Sequence, residues 1–194
     1  MSKISSQRAN TNEQQQVDQL IALFNGAFQS SNTRLVRGTD EPIYLPADKT
    51  CEYNRVIFAH GYYTSALHEI AHWCIAGEQR RGLVDYGYWY CPDGRDAQQQ
   101  ASFEKVEVKP QALEWAFSVA AGRQFGVSTD NLNGVQPDRH AFAQCVYAQL
   151  QTYCSTDFPS RGAHFINVLR EHYQTPQLTL QRCLTLSKDL SNAA

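Results

Sequence analysis

The sequence lacks a long apolar run, a block of basic residues and a secretion signal. Its 194 residues carry a formal net charge of −2 and no Lys/Arg-rich stripe, which argues against direct binding of nucleic acid through its phosphates. No segment approaches the ~18 consecutive apolar residues that span a bilayer, and the polar start, residues 1–12, has no apolar core of a signal peptide. We therefore expect a cytoplasmic protein that is not inserted in a membrane.

Paired cysteines are also missing. The six cysteines are scattered through the chain and form no C-x-x-C motif, which disfavours a zinc knuckle. Without an export signal, three disulfides are not expected either. The cysteines are most simply interpreted as reduced and structural.

The most informative feature that is present is an H-E-x-x-H motif, His68 to His72. Histidines four residues apart lie on one face of a helix, about 6 Å apart along its axis, so both rings can reach one divalent ion. A metal site is the leading hypothesis. The alternative is an ordinary half-buried helix whose histidines are satisfied by carbonyl groups and whose Glu69 is solvated.

The sequence around this motif favours the metal hypothesis. The apolar run 55–59 predicts a strand, His60-Gly61 ends it, and Thr64 or Ser65 could cap the helix that follows. Gly77 offers a stop for that helix. A strand, a turn and a ligand-bearing helix are the usual setting of this motif in metal hydrolases.

The remaining patterns predict an α+β fold in which a small sheet is flanked by helices. Further strands are expected at 42–45 and 86–90, and an amphipathic helix is expected from near Asn12 after a disordered tail, residues 1–12. The C-terminal half is predicted to form helices at 97–106, 110–122, 137–153, 160–173 and 178–186. At 42% hydrophobic residues, the chain can bury one core, so residues 13–194 are expected to form a single catalytic domain.

Two histidines leave an ion short of protein ligands, and the candidates for a third are Glu114 and Glu107. Pro110 biases Lys109 away from helical geometry, so Glu107 is expected at the frayed end of one helix and Glu114 inside the next. Small neighbours on its face would allow Glu114 close to the histidines, and we predict it as the ligand. Glu107 remains the alternative, and Glu114 could instead be a glutamate favoured by the helix dipole.

Two histidines and a carboxylate do not define the metal. The set matches catalytic zinc in H-E-x-x-H peptidases, in which the motif glutamate is the general base. It equally matches the facial triad of non-haem Fe(II) oxygenases. The ligand types alone leave both open.

Longer phrases carry a more specific signal: HGYYTSALHEIAHWCIAGEQRR from His60, DYGYWYCPDGR from Asp85 and QQQASFEKVEVKPQALEW from Gln98. Together they closely resemble elongation factor P hydroxylase, a family of small bacterial enzymes. The resemblance implies hydroxylation of the lysyl-modified lysine of translation elongation factor P by a two-His-one-carboxylate metal site, with His68 and His72 as the histidines. The implied metal is Fe(II), with zinc possible.

The resemblance also changes the expected role of Glu69, which would orient a water or hydrogen-bond a substrate amine. The aromatic-acidic segment from Asp85 to Asp96 is expected to bind the long cationic side chain through Tyr88, Trp89 and Asp93. Alternatively, its tyrosines line one face of a strand and its aspartates serve turns.

No 2-oxoglutarate H-x-D…H pattern, haem motif or flavin fingerprint is evident. The other hypotheses are a zinc metallopeptidase and a non-enzymatic binder of a translation factor.

Overall fold

The computed structural model describes residues 2–87 and 93–190 of the chain, with side chains from Asn12 onward. Within this part of the chain it has six α-helices and one three-stranded sheet, which confirms the expected α+β class. The chain divides into two compact units, Met1–Gly87 and Tyr88–Ala194. The expectation of one catalytic domain over residues 13–194 stays a prediction.

The first unit contains α1 (Ser2–Ala27), β1 (Thr33–Arg37), β2 (Ile43–Leu45), β3 (Asn54–Phe58) and α2 (Tyr63–Ile75). Helix α1 begins at Ser2 and not near Asn12, so it includes most of the segment that was expected to be a disordered tail. Its apolar stripe is buried as expected. Phe24 and Phe28 both pack edge-on against Trp73 of α2, with ring centroids 5.2 and 4.7 Å from that of Trp73, and this contact fixes α1 against α2.

The sheet has the strand order β1-β3-β2, with β1 parallel and β2 antiparallel to β3. The predictions of β2 and β3 are confirmed, whereas β1 was not predicted. The central strand β3 buries Val56 and Phe58 completely. Hydrogen bonds extend the β1–β3 pairing at both ends, from Asn54 N to Asn32 O and from Gly38 N to Phe58 O, each 2.9 Å long.

The strand predicted at 86–90 is wrong in the part that can be compared. Residues Val84–Gly87 form a 3-10 turn, and Asp85, Tyr86 and Gly87 have φ of 49°, 56° and 70°. These left-handed values are incompatible with the extended backbone of a strand. Residues 88–90 lie outside the described residues.

The second unit contains α3 (Ala97–Ala120), α4 (Arg139–Ser155), α5 (Ser160–Tyr173) and α6 (Leu180–Thr185). Helix α5 approaches α3 closely at Gly162, where an added Cβ would lie 2.9 Å from a methyl carbon of Leu113. Trp115 of α3 donates its indole N–H to Cys183 O at 3.1 Å, which joins α3 to α6. No helix in the described part of the chain is long and apolar enough to cross a bilayer.

The prediction of two helices at 97–106 and 110–122 is wrong, because α3 is continuous and contains Pro110. An internal proline costs a helix about 3 kcal/mol through its missing N–H and its ring. Burial compensates here: Phe103 before the proline and Leu113 and Trp115 after it are all buried. Asp96 starts the helix with a capping box, accepting from Gln99 N at 2.9 Å while Gln99 accepts from Asp96 N at 3.0 Å.

Candidate metal centre

The helix that carries the two motif histidines is placed by the end of β3. After Phe58 the chain makes a 3-10 turn, Ala59–Gly61, in which His60 and Gly61 have φ of 50° and 71°. Ser65 Oγ accepts from Ala59 N at 3.0 Å, so the serine fastens this turn instead of capping α2, whose N-cap is Tyr62. The predicted order of strand, turn and helix is confirmed.

His68 and His72 lie on one face of α2 with their rings in contact. Their Nε2 atoms are 3.0 Å apart and their ring centroids 4.7 Å. Two nitrogens that each lie about 2.1 Å from one ion are ~3.0 Å apart at an octahedral angle and ~3.4 Å apart at a tetrahedral one. The pair therefore fits a shared metal ion, and both side chains are half-buried, which limits competition by water.

The 3-10 turn after α2 brings further polar groups near the motif helix. The Tyr86 ring stacks on Tyr44, with centroids 4.4 Å apart and planes 15° from parallel. Tyr44 donates its hydroxyl to Arg81 O at 2.8 Å, and Arg80 donates to Tyr86 O at 2.9 Å. These bonds hold the left-handed backbone of residues 85–87 in place.

Both acidic groups of this turn have perturbed pKa values. Burial raises the pKa of Tyr86 well above its usual value, and the negative charge of Glu69 adds to this effect. Burial also raises the pKa of Asp85, opposed by the Tyr44 N–H and by the charge of His72. Tyr86 was predicted on a strand, which is wrong, whereas the expectation that the segment beginning at Asp85 contributes to the site stays a prediction.

Helix α3 carries a buried polar stripe. Glu107, Gln111, Glu114 and Ser118 follow one another at intervals of four, three and four residues, which places them on one helical face. They are only 1%, 1%, 8% and 2% exposed. Buried carboxylates are rare unless they are paired or bind a metal, so this stripe is not a solvated surface and its glutamates are candidate ligands.

Among the described residues, His68, His72 and Glu107 form a possible metal-binding triad. Each offers one ligand atom, and these atoms lie within 4.8 Å of one another. The donors are two imidazole nitrogens and one carboxylate oxygen, a set that suits Fe(II), zinc and similar divalent ions. The triad contains Glu107, the alternative that the sequence left open, and the assignment of Glu114 as a ligand stays a prediction. Because α3 is uninterrupted, Glu107 lies in mid-helix and not at the frayed end where it was expected.

The other predicted site residues are placed as follows. Glu69 lies in α2 and is 8% exposed, and Glu114 lies in α3, two turns beyond Glu107. Asp93 is in an exposed turn, where it accepts from Gly94 N at 2.7 Å and from Asn133 N and Nδ2 at 3.1 and 2.6 Å. These bonds lower the pKa of Asp93, so it is charged at neutral pH. Tyr88 and Trp89 lie outside the described residues.

Comparison with known proteins agrees with the resemblance seen in the sequence. The pattern of the family described as "Elongation factor P hydroxylase" matches residues 23–183. The chain is 52% identical over 160 residues to the "Elongation factor P lysine hydroxylase" of Haemophilus influenzae, an alignment that covers 82% of this chain and 90% of that protein. The matched region includes the H-E-x-x-H helix and all of α3. This protein is a member of the elongation factor P hydroxylase family.

Proposed function

We propose that this protein hydroxylates translation elongation factor P on its lysyl-modified lysine. The observation that carries the proposal is the 52% identity, over most of both chains, to a protein named elongation factor P lysine hydroxylase. The family match over residues 23–183 supports the same activity. Elongation factor P is then the protein partner, and the reaction makes the enzyme an oxidoreductase, a monooxygenase acting in the cytoplasm.

The proposed cofactor is Fe(II), held by His68, His72 and Glu107. Support comes from the donor set of the triad, whose ligand atoms lie within 4.8 Å of one another, and which is the set of non-haem Fe(II) oxygenases. When bound, Fe(II) would supply the activation of an oxidant that replacement of a C–H bond by C–OH requires. Zinc fits the same ligands but has no redox chemistry, so it is the weaker choice for a hydroxylase.

The chain's own residues have separate proposed roles. His68 and His72 would bind the ion through their Nε2 atoms, and Glu107 would bind it through a carboxylate oxygen. Glu69, buried on the same helix, orients a water or accepts from a substrate amine. The negative charge of Glu69 contributes to the raised pKa of Tyr86, which supports a position of the Glu69 carboxylate near the Tyr86 hydroxyl.

Substrate binding is proposed for Tyr88, Trp89 and Asp93. A lysyl-lysine side chain has a long aliphatic stem and cationic amines, which aromatic faces and a carboxylate suit. Asp93 keeps its charge at neutral pH because the N–H groups of Gly94 and Asn133 stabilise the carboxylate. The same bonds give Asp93 a role in its turn, so its contribution to substrate binding would be through charge.

The decisive experiment is the intact mass of lysyl-modified elongation factor P after incubation with the Fe(II)-loaded protein in air with a chemical reductant. We expect a mass gain of one oxygen atom, located on the modified lysine by peptide fragmentation. His68→Ala, prepared in the same way, is the control and should give no gain. An unchanged mass with a protein that retains iron would refute the proposed activity.

Zinc loading and a Glu69 variant distinguish the two alternatives. A zinc metallopeptidase would cleave peptides when loaded with zinc, and a non-enzymatic binder would tolerate Glu69→Gln. The family match and the relative from Haemophilus influenzae are both hydroxylases by name. Neither finding supports peptidase activity.

A further inference from the structure

Gln111 is a buried amide, one turn from Glu107 on the polar stripe of α3. It is 1% exposed. Its Oε1 accepts from Ser128 N at 2.9 Å, and its Nε2 donates to Ser128 O at 2.8 Å and to Glu107 Oε2 at 3.3 Å. One side chain thus joins the backbone of the segment after α3 to the proposed carboxylate ligand.

The orientation of this amide is determined by its partners. Ser128 N–H is a donor, so only the carbonyl oxygen of Gln111 can face it. Ser128 O is an acceptor and takes one of the two amide hydrogens. With the amide plane fixed by these two bonds, the second hydrogen is the one that Glu107 Oε2 accepts.

Hydrogen bonds also restrain the backbone around Ser128, to which Gln111 is bonded. Arg95, which is 1% exposed, donates to Thr129 O at 3.0 Å and to Asp130 O at 2.6 Å. Asp189 Oδ2 accepts from Val127 N at 2.8 Å. Bonds on both sides of Ser128 therefore restrain the backbone that orients the Gln111 amide.

We propose that Gln111 is a positioning residue of the metal site: its amide N–H holds the Glu107 carboxylate in the orientation in which it binds an ion. This proposal rests on the proposed function, in which Glu107 is a metal ligand. A hydrogen bond from a neutral amide restrains one carboxylate oxygen without neutralising the charge, and the carboxylate has a second oxygen with which to bind an ion. Such partners of metal ligands raise affinity by holding the ligand in the binding geometry.

The chain supplies a matched control on the same helix. Gln100 is also buried, at 3% exposure, and its Nε2 donates to Thr129 O at 3.2 Å and to Glu104 Oε1 at 2.8 Å. It contacts the same backbone segment and a glutamate four residues away, yet Glu104 is not part of the triad. A purely structural role for these glutamines would give both the same effect on metal binding.

The test is the dissociation constant for Co²⁺, measured by competition with a chromophoric chelator, together with the visible absorption spectrum of the bound Co²⁺. Gln111→Met, of similar volume, should weaken Co²⁺ binding by about 10- to 100-fold and alter the spectrum. Gln100→Met also loses the bonds to Arg95 and to Thr129 O but contacts no ligand, so it should weaken Co²⁺ binding by a smaller factor than Gln111→Met does and leave the spectrum as it is. Thermal unfolding of each variant is measured alongside.

Each outcome decides the matter. Equal affinities for Gln111→Met and the unaltered protein, or equal losses for the two methionine variants, would overturn the positioning role. Should Gln111→Met not fold, Gln111→Ala leaves space for water at Ser128 and is measured in the same way; if neither folds, Gln111 is a structural residue and the proposal is wrong. Glu107→Gln distinguishes failure of the ligand assignment from failure of the positioning role. If Glu107→Gln keeps full Co²⁺ affinity, the proposed ligand set is wrong. If Glu107→Gln loses affinity while Gln111→Met keeps it, only the positioning role is refuted.

Discussion

The identity of the carboxylate ligand can be tested by changing Glu107 and Glu114 separately to glutamine. Both residues are buried in α3, and they are seven positions apart, which corresponds to about 10.5 Å along a helix axis. In the triad the carboxylate is that of Glu107, whose ligand atom lies within 4.8 Å of those of His68 and His72. The two substitutions remove the same charge and nearly conserve volume, so each serves as the control for the other.

The expected magnitudes differ because of distance. Two unit charges 4 Å apart interact by about 4 kcal/mol at an effective dielectric constant near 20, and a glutamine oxygen can retain part of the ligand bond. We therefore expect Glu107→Gln to weaken metal binding at least ~100-fold, or about 2.7 kcal/mol. Glu114→Gln removes a more distant charge and no ligand bond, so it should weaken metal binding by less than Glu107→Gln does, and the ranking of the two losses is the test.

The assay is competitive titration of the apo-protein with Fe²⁺ under anaerobic conditions and with Zn²⁺, accompanied by elemental analysis of the purified variants. Thermal unfolding shows whether each variant is folded. A larger loss for Glu114→Gln than for Glu107→Gln would refute the triad with Glu107 and return the ligand role to Glu114. Equal small losses would show that neither carboxylate binds the ion.

Four further predictions concern other parts of the chain. His68→Ala or His72→Ala should each abolish metal binding while the helical circular dichroism is kept, and a variant with full metal content would contradict the shared ion. Tyr88→Ala and Trp89→Ala should impair hydroxylation with normal metal content, one much more than the other; activity that falls only in step with the unfolding midpoint, after a loss of about 3–5 kcal/mol, would identify core residues. Pro110→Ala should stabilise the protein by up to ~3 kcal/mol, since alanine restores a helical N–H, and a destabilisation above ~1 kcal/mol in urea would show that packing of the ring matters more. Burial raises the pKa of Cys183 to about 12, so iodoacetamide at about pH 8.5 should modify the exposed Cys145 and leave Cys183 unmodified until the protein unfolds.

Local patterns predicted the elements whose signals are local. The apolar runs at 42–45 and 55–59, each bounded by a turn residue or proline, became β2 and β3. The spacing of His68 and His72 was sufficient to predict that both rings lie together on one face of α2. Helix α5, predicted at 160–173, has those bounds in the structure, because its start follows a proline and its apolar positions recur at helical intervals.

Predictions failed where contacts distant in sequence decide. Pro110 argued for a break, but burial of α3 on both sides of it outweighs the local cost, so Glu107 lies in mid-helix and not at a frayed end. The alternation of aromatic residues argued for a strand at Tyr86, but stacking on Tyr44 and the bonds from Arg80 and to Arg81 hold a left-handed turn. Strand β1 has arginines at both Arg34 and Arg37, so its burial becomes visible only once it is paired with β3.

The register of β3 has a mechanical consequence for the metal site. Phe58 ends the strand, and only the turn Ala59–Gly61 and Tyr62 separate it from α2. A slip of β3 by one two-residue step against β1 would move it by about 6.6 Å, with little chain between strand and helix to absorb the shift. Gly38 opposes such a slip, because its N–H bonds to Phe58 O and any Cβ at this position would lie 2.7 Å from Ile57 Cγ2. The register of the sheet therefore sets the position of α2, and with it the positions of His68 and His72. Substitutions at Gly38 should alter the geometry of metal binding although this residue is not among the proposed ligands.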